Sequence, residues 1–176
     1  GDVYKRQAKT ESFNGTNWTE VNALNNSRQL LAGCGVNAEA CLAFGGEDPG
    51  TAHYAITELW NGTNWTEVNN LTTARNALRG SGTSTAALAF GGQPNIGKTE
   101  DWNGTNWTEV NDMNIGRRQM GAAGSKTSTL VFGGENGDSA QLASTELWNG
   151  TNWTEVADLN TARNATAGSG TDNTSC

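Results

Sequence analysis

Short apolar runs alternate with glycine- and asparagine-rich breaks along this chain, and the alternation is periodic. A first run, rich in glycine and small residues, covers residues 30–36, 77–82 and 120–124. A second follows at residues 40–46, 86–92 and 129–134 and closes on Gly45-Gly46, Gly91-Gly92 and Gly133-Gly134. A third starts with Thr-Glu at residues 57, 99 and 145 and ends on Trp60, Trp102 and Trp148. A fourth is Trp-Thr-Glu-Val, from Trp65, Trp107 and Trp153. Runs this short, bounded by turn residues, predict β-strands. Four in succession predict an antiparallel meander per unit, with strands near 77–82, 86–90, 99–102 and 107–110 in the clearest copy. The double glycine permits backbone geometry closed to other residues. The small first strand suits a crowded centre where large side chains do not fit.

Each unit ends in the same octamer. Asn-Gly-Thr-Asn-Trp-Thr-Glu-Val stands at residues 14–21, 61–68, 103–110 and 149–156. Its tryptophans, Trp18, Trp65, Trp107 and Trp153, are 47, 42 and 46 residues apart. That is the spacing of a four-stranded propeller blade. Asn-Gly is a strong hairpin signal because both residues accept positive φ. Whether the loop is Asn61-Gly62 or all of 61–64, parity puts Trp60 and Trp65 on one sheet face, as direct or diagonal neighbours. Trp102 with Trp107 and Trp148 with Trp153 repeat the pair, and Phe13 takes the leading place before Trp18. Six of the seven tryptophans fall in three identical pairs, which points to a core between blades; a sugar-stacking platform is the alternative. The Asn-x-Thr sequons within the octamer are accounted for by the turn itself.

Arg28, Arg75, Arg117 and Arg163 each follow an octamer tryptophan by ten residues. The fixed offset implies one structural task per blade. The five donors of arginine suit tying loop carbonyls or a carboxylate between neighbouring blades; a ligand-binding arginine ring is the functional alternative. Arg75, Gly91-Gly92, Glu100, Trp102 and Trp107 occur in the order of a kelch repeat, which this chain resembles over almost all of residues 9–176. The resemblance implies an all-β, kelch-type β-propeller fragment of four-stranded antiparallel blades. Two departures stand out: tryptophan replaces the third-strand tyrosine, and the turn before Trp107 is shorter. The octamer is also similar to tandem repeats of marine viral and bacterial proteins, which hints at a virion or cell-surface setting. The Gly-x-x-Trp of the octamer resembles the sialidase Asp-box, but the aspartate position falls on Trp60, so the match fails.

Kelch-like propellers include copper-radical oxidases, whose site needs a tyrosine–cysteine crosslink, a further tyrosine and two histidines. Here His53 is the only histidine, and Tyr54 is the only tyrosine besides Tyr4. That site cannot be assembled from these residues, nor does a nucleophile elbow occur. The sequence therefore predicts neither an enzyme nor a cofactor. Glu47 and Asp48 are adjacent in one loop and read as solvated. Cys34 aligns with Ser81, Ala123 and Ser169 and reads as a small strand residue. A Cys34–Cys41 bridge is disfavoured because no other repeat carries the pattern, and Cys34, Cys41 and Cys176 have no metal-ligand spacing. The net charge of −7 argues against a nucleic-acid partner, and no apolar run reaches transmembrane length.

Residues 1–7, Gly-Asp-Val-Tyr-Lys-Arg-Gln, resemble a translated sequencing adapter and are set aside as non-native. Without Asp2, Lys5 and Arg6 the net charge becomes −8. The resemblance implies a fragment from an assembled environmental read, so no localisation follows. The remainder divides into a partial blade at 9–22, whole blades at about 28–68, 75–110 and 117–156, and a partial blade at 163–176. Further blades of a longer chain, six or seven in all, are expected partners. An open arc of this kind predicts association through its ends.

Between the second and third strands the repeats differ, at residues 47–56, 93–98 and 135–144. A constant frame with variable loops predicts a binding or assembly module with a protein or glycan ligand. Its candidate contacts are His53, Tyr54, Asn95, Lys98, Asn136 and Asp138. An enzyme of carbohydrate oxidase type with its catalytic residues on missing blades is the competing class, and unconstrained drift also accounts for the loop variation.

Overall fold

A computed structural model describes residues 8–48, 50, 52–94, 96–170 and 172. Residues 1–7 and Cys176, on which sequence expectations fall, lie outside the described residues. The fold is all-β. A hairpin of β1 (Thr10–Phe13) and β2 (Trp18–Val21) comes first. Blade one follows, with β3 (Ala32–Asn37), β4 (Ala40–Phe44), β5 (Thr57–Trp60) and β6 (Trp65–Val68). Blade two holds β7 (Arg79–Gly82), β8 (Ala87–Phe90), β9 (Thr99–Trp102) and β10 (Trp107–Val110). Blade three holds β11 (Gly121–Ser125), β12 (Ser128–Phe132), β13 (Thr145–Trp148) and β14 (Trp153–Val156). In each blade sequential neighbours pair antiparallel, so every connection within it is a short hairpin or a loop at one edge of the ladder.

The register is the same in all three blades. Trp60 faces Trp65, Trp102 faces Trp107 and Trp148 faces Trp153, each pair with ring centroids 5.3 Å apart. The hairpin loop is the longer of the two alternatives: Asn61 N–H donates to the Asn64 carbonyl, and Asn61 Oδ1 accepts from the amides of Thr63 and Asn64. The octamer's first asparagine is thus committed to its own turn.

The first strands start one or two residues later than the sequence reading has them, at Ala32, Arg79 and Gly121. The first strand of blade two begins at Arg79 rather than residue 77, because Ala77 sits at φ +51°, outside extended geometry. Leu30, Gln119 and Ala165 have the same left-handed backbone at the same place in their units. This kink turns the peptide towards the preceding blade: Ala77 N–H donates to Leu30 O, and Gln119 N–H to Ala77 O.

The core lies between blades. Phe44 of blade one meets Trp107 of blade two at 5.0 Å, and Phe90 meets Trp153 at 5.4 Å. Leu42, Phe44, Leu78, Ala87, Trp102 and Trp107 are among the residues of one buried cluster, while Phe90, Met120, Val131 and Trp153 belong to the next. The indole N–H of three of the four octamer tryptophans finds a threonine in the preceding unit. Trp65 Nε1 donates to Thr10 Oγ1 (3.0 Å), Trp107 Nε1 to Thr57 Oγ1 (3.0 Å) and Trp153 Nε1 to Thr99 Oγ1 (2.9 Å). The leading tryptophans bond within their blades, Trp102 Nε1 to Ser84 O for example.

The segment 163–170 occupies the inner position after blade three without forming a ladder. Gly124 N–H donates to Gly170 O, and Gly168 lies against the Ala122 carbonyl. An opening strand was expected here. In the complete blades the first strand pairs with the second strand of its own blade, and no second strand pairs with this segment among the described residues.

The tryptophan contacts make unequal contributions. Trp107→Phe keeps most of the packing but removes the donor to Thr57, and should cost roughly 1–3 kcal/mol. Trp18→Phe should be nearly neutral, since Trp18 is 66 % exposed. Urea unfolding of the two variants beside the parent chain measures the difference.

Candidate functional site

The three variable loops leave equivalent strand ends and are rooted on a shared layer of polar residues. Two of them fold alike. Asp48 Oδ1 accepts from the amides of Gly50 and Ala52, and Asn136 Oδ1 from those of Asp138 and Ala140. Asn136 therefore shapes its own loop. His53 and Tyr54 are half-buried where the first loop returns, with Tyr54 N–H donating to Gly46 O and Tyr54 O accepting from Arg75 N–H. Lys98 is half-buried and ion-paired with Glu109, and its carbonyl accepts from Arg75 Nη1 at 2.7 Å. Asp138 is exposed at the tip of the third loop. Asn95 lies outside the described residues. The loops thus share one end of the arc, but among the described residues no hydrogen bond or ion pair joins these candidate side chains.

Beneath the loops runs a continuous chain of polar groups that sequence reasoning missed. Glu47 accepts from Gln29 Nε2 at 2.5 Å and from Asn76 Nδ2 of the next blade. Gln93 is bridged to Asn76 through its backbone and accepts on its side chain from Arg118 Nη1 at 2.6 Å. Arg118 Nε donates to Glu135 Oε1 at 2.6 Å, and Asn164 Nδ2 donates to Glu135 Oε2 at 2.8 Å. Each link joins the residue after a double glycine to the residue after a repeat arginine, in its own blade and in the next. The signal was present: all seven positions are polar. Glu47 is consequently buried, at 8 % exposure, which corrects its reading as a solvated carboxylate. The turn at Gly45-Gly46, with φ of +68° and +108°, folds it back over blade two, where amide donors replace water.

The repeat arginines are fully buried in the three whole blades. Arg28 pairs with Glu58, Arg75 with Glu100 at 3.1 Å and Arg117 with Glu146 at 2.8 Å. These ties run within a blade, from the entry of its first strand to its third strand, and not between neighbouring blades as expected. The reason is that the third-strand glutamate lies within reach inside the same sheet. What crosses between blades is the arginine's backbone: the carbonyls of Arg75, Arg117 and Arg163 accept from the amides of Gly46, Gly92 and Gly134. The glutamates use their second oxygen on the preceding linker, Glu100 accepting from Thr72 N–H and Glu146 from Asn114. Burial pushes the Arg75 and Arg117 guanidinium groups down, and the facing carboxylates oppose it. A ring of ligand-binding arginines is thereby excluded for these three; Arg163 is exposed and donates to Thr161 O.

A second set of missed residues ties the outer edges. Asn22, Asn69 and Asn111, each just after an octamer, donate through Nδ2 to the next octamer turn, at Thr63 and Asn64, Thr105 and Asn106, and Thr151 and Asn152. At the centre, residues 33–35, 80–82, 122–124 and 168–170 enclose a cleft of about 200 Å³ lined by glycine and other small residues. Cys34 and Cys41 are free. In register Cys34 faces Leu42 and Cys41 faces Gly35, so the two thiols project to opposite faces. Burial pushes the Cys34 thiol up to about 12, which keeps it protonated and unreactive at neutral pH.

Among the described residues no three His, Cys, Asp or Glu side chains gather as a metal site, and no helix is long and apolar enough to cross a membrane. Repeated four-stranded antiparallel sheets, joined face to face through tryptophan, define a blade-repeat protein of propeller-like architecture. Neither a protein-family model nor a curated protein matches the chain.

Removing one partner of a buried pair leaves the other charge stranded. Arg75→Met should cost about 3–5 kcal/mol, and the double variant Arg75→Met/Glu100→Leu should regain much of that loss; a double-mutant cycle in urea measures both. The Glu135 carboxyl is held below the ordinary 4.5, first by the Asn164 amide and then by Arg118, against the opposing effect of burial. A depressed carboxylate contributes stability above its unfolded pKa and loses it as pH falls through the folded one. Asn164→Ala should raise the Glu135 pKa and destabilise the chain at pH 7, with the penalty shrinking below pH 4.5. Carboxyl-resolved NMR titration and acid unfolding check this.

Proposed function

We propose that this chain is a kelch-type propeller segment acting as a non-catalytic binding or assembly module, with a protein or glycan ligand held on the 47–56, 93–98 and 135–144 loops. The kelch reading is supported by the order of Arg75, Gly91-Gly92, Glu100, Trp102 and Trp107 along one blade, now with a physical task for each. The arginine and glutamate form the buried pair, the glycines make the turn, and the tryptophans pack and bond. The observation that carries the binding reading is the contrast at the loop end. The repeat arginines and third-strand glutamates of the whole blades are paired internally, and a polar layer fixes all three loop bases. What differs from blade to blade is the side chains above that layer, including His53, Tyr54, Lys98 and Asp138.

The test is a glycan-array and protein-display screen with the parent chain, repeated with each variable loop replaced in turn by another repeat's loop. At least one swap should abolish a recovered interaction while leaving the unfolding midpoint close to the parent's. Binding untouched by all three swaps would refute the loop assignment.

A further inference from the structure

The outer face of blade three is built like the faces that blades one and two present; residues 163–170 lie on its inner end, and among the described residues no octamer tryptophan covers the rest. In the two closed junctions a phenylalanine of the second strand and a threonine of the third receive an octamer tryptophan: Phe44 and Thr57 receive Trp107, and Phe90 and Thr99 receive Trp153. The corresponding pair on blade three is Phe132 and Thr145. Thr145 Oγ1 is buried without a hydrogen-bond partner, whereas Thr10, Thr57 and Thr99 each accept an indole N–H. Leu130, Phe132, Thr145, Ala157 and Leu159 line an open apolar cavity of about 300 Å³ at this place. At the other end, the β1–β2 hairpin has already docked by its Thr10 face onto Trp65, and it presents Trp18 outward, 66 % exposed.

We propose that the blade-three face binds the β1–β2 hairpin of a second copy of this chain, with the Trp18 ring against Phe132 and its indole N–H donating to Thr145 Oγ1. The surface requires an octamer hairpin, because the unfilled acceptor and the aromatic beside it reproduce what the two internal junctions use to hold one. A second copy carries that hairpin with its tryptophan exposed. The contact is heterologous, head to tail, a geometry that extends or closes into a ring. One element of the internal junctions is missing. Ala157 stands where Asn22, Asn69 and Asn111 hook the following octamer turn, so this junction is weaker than those within the chain.

Sedimentation equilibrium on the 176-residue chain over a range of concentrations tests this, with near-UV circular dichroism to verify folding. The parent should self-associate reversibly. Trp18→Arg and Thr145→Arg should each be monomeric alone, and their mixture should give a 1:1 dimer, because each variant keeps the face the other lacks. Ala157→Asn should tighten association by roughly tenfold, by restoring the hook to the incoming turn. This variant disturbs no buried group, so it decides the matter even where Thr145→Arg fails to fold. A strictly monomeric parent, association unchanged by Trp18→Arg, or no tightening by Ala157→Asn would overturn the proposal.

Discussion

A tryptophan buried between two sheets must place its indole N–H against an acceptor, or the burial that makes it valuable turns costly. For Trp65, Trp107 and Trp153 that acceptor is a third-strand threonine of the preceding unit. The requirement fixes how far one blade slides and rotates over the next, since ring packing alone tolerates many offsets and a 3 Å hydrogen bond does not. Phe44 and Phe90 then fill the space beside the ring, and the outer asparagines and the polar layer under the loops close the two remaining edges. Each junction is therefore held at its middle, its rim and its loop end by different chemistry.

Within a blade the governing feature is the buried arginine–glutamate pair. Such a pair contributes little net stability, because desolvation offsets most of the attraction. Its value here is geometric. Arg75 also reaches the carbonyls of Ala89 and Lys98, so one side chain connects the strand entry to the second strand, the loop return and the third strand. The variable loop can change length between 93–98 and 135–144 without moving the strands it joins, because both its ends are anchored to a group that does not vary.

The strands, their pairing and the tryptophan register were legible in the sequence because each rests on local pattern: alternation, Asn-Gly, Gly-Gly. The blade-to-blade placement of the aromatics was also legible, from their repetition. Other features were not, and they share a cause. The burial of Glu47, the intrablade course of Arg75 and the reach of Asn69 to Asn106 all depend on which unit lies beside which atom, and periodicity alone does not carry that information. The start of β7 failed for a different reason. Ala77 is apolar and looks like strand, but its backbone is bent left-handed to bond Leu30. Of the loop side chains, sequence located the loops themselves but not the degree to which Asn136 is already occupied by its own turn.

The repeated backbone kink joins Leu30 to Ala77 and Ala77 to Gln119 through peptide groups alone, and the two octamer junctions between whole blades are built alike. A blade copied or deleted whole would meet the same surfaces on both sides as before. Identical octamers are also the places where misaligned copies of a gene recombine in frame. The architecture thus lets unequal crossing-over change the number of blades, and so the curvature and the set of displayed loops, without any new interface having to evolve.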